Sequence, residues 1–125
     1  MRSRSPRRGG SISWRSEAMA NPFAGEVALG LDGEGRVMRL TLGALAELEA
    51  ELGAGSLVDL VARFESGAFS TRDVLAVIVA GLRGGGWRGT ASDLLSAEIE
   101  GGPIMAARAA AQLLARAFAL PEEGA

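Results

Sequence analysis

The reactive side chains available to this 125-residue sequence are hydroxyls, carboxylates and guanidinium groups, because it contains no histidine, cysteine, tyrosine or lysine. That removes the usual general base near neutral pH, the thiolate nucleophile, the Schiff-base amine and the soft metal ligands. A two-carboxylate hydrolase stays formally open. The acids, however, stand mainly at the starts of helical segments and on outward faces, away from apolar neighbours that would raise a carboxyl pKa. No convergent set of perturbed groups is visible, so the sequence predicts a non-enzymatic protein with no catalytic residues, bound metal or cofactor.

Two spacings come closest to a binding chemistry. The run Gly84-Gly85-Gly86-Trp87-Arg88-Gly89-Thr90 could cradle a phosphate through its backbone N–H groups. A P-loop needs a lysine before the Ser/Thr and a strand before the loop, whereas here Arg88 and Gly89 precede Thr90 and a helical pattern precedes the glycines. The segment therefore reads as helix termination and a mobile connection, with Trp87 folded onto the core or exposed as an interface anchor. Glu47, Glu49 and Glu51 could hold a metal or a cationic partner, but a run of like charges on a helix needs water around it and reads as a solvated face.

Residues 1–18, MRSRSPRRGGSISWRSEA, carry five arginines against the single acid Glu17 and show no apolar period, so they are expected to be disordered. They lack the apolar core of a secretory signal. One reading is a basic arm that neutralises nucleic-acid phosphates; the plainer one is a start placed upstream of the true initiator, Met19. Without the arm, 8 basic residues face 14 acidic ones, a net charge of −6. An acidic domain is a poor nucleic-acid binder. Residues 19–125 are enough for one globular domain, and no run approaches the roughly 18 uncharged apolar residues of a membrane span. No membrane partner is expected.

The elements that must position any site are mainly helical. Val27, Leu29 and Leu31, then Met38, Leu40 and Leu42, alternate with smaller or polar residues around Asp32-Gly33-Glu34-Gly35, predicting a β-hairpin with open edges. Thr41, Ser56, Ser70 and Thr90 stand where N-caps belong, and the last three have an acid three residues on: Asp59, Asp73 and Asp93. Helices follow to Gly53, over 57–65, over 71–83 and after Thr90, with the third the most apolar and the centre of the core. The last runs from Ile104 to Leu120 behind Pro103, with a polar stripe at Arg108, Gln112 and Arg116. Its other side, with Ala107, Ala110, Ala111, Leu114 and Phe118, reads either as a tightly packed face or as an apolar groove for a partner or a second copy. The fold class is mainly α (α+β): an N-terminal hairpin followed by four or five short helices.

The order NPFAGEVAL, RLTLGALAELEAELG, SLVDLVARF, GAFSTRDVLAVIVAGLRGGG and EIEGGP resembles the small tail proteins of gene transfer agents and siphophage-like prophages, from about Asn21 to Phe118. The resemblance implies a tail assembly chaperone that holds the elongated, aggregation-prone tape measure protein in the bacterial cytoplasm while tube subunits assemble around it. It transfers no catalytic residue. The family is also labelled a tail tube protein, but tube subunits are expected to be rich in strands, and this sequence offers two strands and about five helices. A small nucleic-acid-binding regulator is a third reading, disfavoured by the acidic domain. On the chaperone reading, the candidate contacts are Trp87, Leu114, Phe118 and the hairpin edge.

Overall fold

The computed structural model describes Asn21, residues 25–53 and residues 56–118. Strands β1 (Glu26–Leu31) and β2 (Glu34–Arg39) form an antiparallel hairpin. Helices α1 (Leu42–Leu52), α2 (Ser56–Ser66), α3 (Thr71–Gly84), α4 (Ala91–Ser96) and α5 (Gly102–Ala117) follow. This is the expected hairpin and helical bundle. The expectations for residues 1–18, for a cap by the Ser56 side chain and for the helix beyond Phe118 rest on residues or side chains that are not described.

The hairpin connection is tighter than the four residues DGEG suggest. Only Asp32 and Gly33 lie between the strands, with φ of 53° and 81°. Positive φ at both central residues matches the right-handed twist of the flanking strands, and Asp-Gly supplies it at low cost. The register sets Val27 opposite Met38 and Leu29 opposite Arg36. Val27, Leu29, Leu31, Met38 and Leu40 are buried as the alternation predicts, but Leu42 is 85% exposed. The reason is local: Thr41 accepts the Ala44 N–H at 3.0 Å as the N-cap of α1, so the extended segment has ended before Leu42 is reached.

Capping residues start α3 and α4 as well. Ser70 and Asp73 form a reciprocal capping box on α3, and Thr90 and Asp93 do the same on α4. Asp73 has a second task. Arg63, in the last turn of α2, donates from Nε and Nη2 to the two Asp73 carboxylate oxygens, both at 2.9 Å. These bonds, with help from the Ser70 N–H, hold the Asp73 carboxyl below the usual carboxylate range even though burial pushes it up. A depressed folded pKa contributes stability above the unfolded value near 3.9 and loses it as pH falls through the folded value. We therefore expect Asp73→Ala to cost about 1 to 3 kcal/mol at neutral pH. In urea titrations the gap to wild type should stay flat above about pH 5 and shrink below about pH 4. A gap that is independent of pH would show that the Arg63 pair contributes nothing.

Helix α3 is the centre of the domain, packing against β2, α1, α4 and α5. Val77, Ile78, Ala80 and Leu82 on it are buried and belong to the one continuous core. Its last turns lie directly on β2. A Cβ built on Gly84 would collide with the Arg39 carbonyl oxygen, and one on Gly85 with that of Val37. The glycine run that reads as punctuation in sequence is thus a flat surface that lets helix backbone reach strand backbone. The helix ends in a Schellman arrangement around Gly86, whose φ is 104°. The Gly86 N–H bonds to Arg83 O at 3.0 Å and the Trp87 N–H to Leu82 O at 2.9 Å.

The hairpin edges are not open in the way the sequence suggests. Residues 35, 37 and 39 of β2 point their backbone groups away from β1 by the alternation of an antiparallel ladder. The glycines of α3 cover the Val37 and Arg39 oxygens on that side. On the β1 side, Arg116 of α5 donates to Glu26 O at 2.8 Å. Glu100 N–H bonds to Gly30 O at 2.9 Å, and Asp32 N–H to Glu98 O at 2.7 Å. With the Leu31–Ile99 bridge, the 98–100 segment acts as a short third rung.

Candidate functional site

The three residues singled out from sequence do not form one surface. Leu114 is 3% exposed and belongs to the core together with Ala106, Ala109, Ala110 and Leu113 of α5. The expectation that it lines a partner groove is corrected accordingly. The buried stripe of α5 lies between Ala106 and Leu114 and leaves Ala111 exposed, because the helix must meet α3 on one side and β1 on another. Phe118, the C-cap of α5, is 41% exposed. Trp87 is half-buried against the core, with its indole lying over Gly89. Its connection is tied down: Arg83 donates to Glu47 Oε1 at 3.1 Å and to Gly89 O at 3.0 Å. The expected mobile loop is therefore bonded to α3 through Arg83, which also pairs with Glu47 of α1. That ion pair also engages the first member of the Glu47, Glu49, Glu51 run, while Glu49 and Glu51 are exposed to solvent.

The most apolar hollow among the described residues lies elsewhere. A groove of about 560 Å³ runs between α3, α4 and the first turns of α5. Val74, Leu75 and Ile78 of α3 contribute to its floor and Leu94 to its wall. Leu95 and Ile104 also line it, yet they are 72% and 74% exposed. Neither was singled out from sequence, although the signal is there. Leu94 and Leu95 are neighbours on a six-residue helix, so when one faces the core the other is turned roughly 100° away. Ile104 sits two residues before the first buried alanine of α5, on the opposite side of the wheel.

The groove continues past Ala97, Ile99 and Gly102 into a second hollow of about 610 Å³ beside the hairpin turn, where Glu98 and Glu100 stand. Asp32 fixes this end by accepting the Glu98 N–H at 2.8 Å on its side chain. Among the described residues, the charged groups that line the two hollows are the carboxylates of Glu98 and Glu100. The chemistry on offer is apolar burial passing into negative charge. Among the described residues, no group of His, Cys, Asp or Glu is arranged to hold a metal ion, and no helix is long and apolar enough to cross a membrane.

No curated protein and no solved structure matches the chain. A family model does: the one described as "Phage tail tube protein, GTA-gp10" matches residues 24–120, which takes in the hairpin, all five helices and both hollows. The chain belongs to that family of phage and gene transfer agent tail proteins.

Proposed function

We propose that this tail-family member is a non-enzymatic assembly chaperone that binds the tape measure protein in the bacterial cytoplasm while the tail is built. The observation that supports it most is the state of the sheet. Among the described residues there are two strands, and backbone or side-chain groups engage both edges of the hairpin. A tube wall made by joining sheets between subunits has little to start from here. The domain instead leaves large apolar side chains in solvent around a groove, as a protein that shields another chain's hydrophobic stripe would. Trp87 and Phe118 remain contacts we propose; Leu114 does not.

Co-expression with the long helical tape measure protein tests this reading. That protein is expected to stay soluble with the domain and to precipitate without it. Polymerisation of the domain alone into rings or tubes, with no effect on the tape measure chain, would favour the structural tube alternative. DNA binding with a steep salt dependence that survives removal of residues 1–18 would overturn both tail roles in favour of the regulator.

A further inference from the structure

We infer that the groove between α3, α4 and α5 receives a helical segment of a tail protein whose apolar stripe continues into lysine or arginine side chains. The inference rests on the assembly reading above for the origin of the segment, and on the walls of the two hollows for its chemistry. An amphipathic helix presents apolar side chains at i, i+3, i+4 and i+7, a stripe of roughly 10 Å along its axis. Leu95 and Ile104 stand on two different helices on either side of one apolar floor. Covering both removes from water two of the most exposed large hydrophobic side chains of the described domain.

The charge at the end of the groove decides which helix fits. Beyond Ile99 the wall carries Glu98 and Glu100, with Asp32 held against the Glu98 backbone. A segment that ends in carboxylates meets like charge there, whereas one that ends in ammonium or guanidinium groups meets its complement. The same reasoning argues against a second copy as the occupant. The described residues carry twelve acids against eight arginines. No described helix of this chain pairs an exposed apolar stripe with a cluster of arginines at one end.

The test uses the full chain and synthetic helical peptides of about fourteen residues, long enough to present one such stripe. Each peptide has leucines at i, i+3, i+4 and i+7 and three terminal lysines at one end or the other; twins carry glutamates instead. Amide resonances of Leu95, Ile99 and Ile104 should shift on addition of a lysine peptide. The glutamate twins should bind at least about tenfold more weakly at low ionic strength, and the gap should close as salt is added. Leu95→Asp and Ile104→Asp should each weaken binding by about tenfold or more while leaving the urea midpoint close to wild type, since both side chains are exposed. Failure of every lysine peptide to shift these resonances at about 1 mM, or equal affinity for lysine and glutamate twins, overturns the inference. The two readings fail separately. If the lysine peptide binds here but the tape measure protein is not held in co-expression, the chaperone role falls and the groove stands. If the Leu95→Asp/Ile104→Asp double variant holds the tape measure protein as well as wild type does, the groove assignment falls and the chaperone role stands.

Discussion

Gly84→Ala is expected to destabilise the domain by about 1 to 3 kcal/mol or more, although helix propensity alone predicts a gain. Replacing glycine by alanine inside an exposed helix usually stabilises by roughly 1 kcal/mol. Here the added Cβ meets the Arg39 carbonyl oxygen of β2 and comes within 3.3 Å of the Ala44 Cβ, so relief requires moving a helix off a strand. Close-packed interiors do not give way by a methyl group without loss of other contacts, so the clash outweighs the propensity term. Three neighbours separate the causes. At Gly81 the closest obstacle, at 2.6 Å, is the Leu113 Cδ1, the end of a side chain that can rotate, so Gly81→Ala should cost less than Gly84→Ala. At Gly86 nothing lies within 4 Å but φ is positive, so Gly86→Ala should cost about 1 to 2 kcal/mol from conformation alone. Gly43, with only the Thr41 hydroxyl at 3.9 Å, should show the ordinary gain. Urea unfolding of the four variants gives the order. A Gly84→Ala protein as stable as wild type would mean that α3 does not rest on β2 as described.

This glycine series shows what could and could not be read along the chain. Local signals are legible because each is decided within a few residues: Thr41, Ser70 and Thr90 do cap helices, Asp32-Gly33 does turn the hairpin, and Val77 and Ile78 of α3 do lie in the core. Gly84 and Gly85 look the same in sequence whether they end a helix or abut a strand. Only the packing of residues some 45 positions apart makes them indispensable. The burial of Leu114 is hidden in the sequence for a related reason. On an alanine-rich helix almost every side is apolar enough to be buried, so periodicity cannot choose the buried face, and the positions of α3 and β1 do. The hairpin edges read as open in the sequence because the residues that cover them come from the end of α3, from Arg116 and from the EIEGGP segment, all distant in sequence. The candidate groove was invisible on the same grounds, since its floor and its two exposed flanks belong to three helices.

Floor and flank of that groove should respond to truncation in opposite ways. Ile78 is 1% exposed, so Ile78→Ala loses the transfer free energy of the deleted methylene and methyl groups and leaves a void that surrounding side chains fill only in part. The expected cost is about 2 to 5 kcal/mol, a large share of the 5 to 15 kcal/mol typical of a small domain. With a urea slope of about 1 to 3 kcal/mol per molar, the midpoint should fall by roughly 1 M or more at unchanged slope. Leu95, on the same groove and of nearly the same size, is 72% exposed, and Leu95→Ala should stay within about 0.5 kcal/mol of wild type. The contrast bears on function as well as on stability. A large apolar side chain whose removal costs the free domain almost nothing is available for burial against a partner. If Ile78→Ala proves nearly neutral, α3 is not the centre of the core. If Leu95→Ala costs as much as Ile78→Ala, Leu95 serves the fold, and the groove loses one of its two contacts for a partner helix.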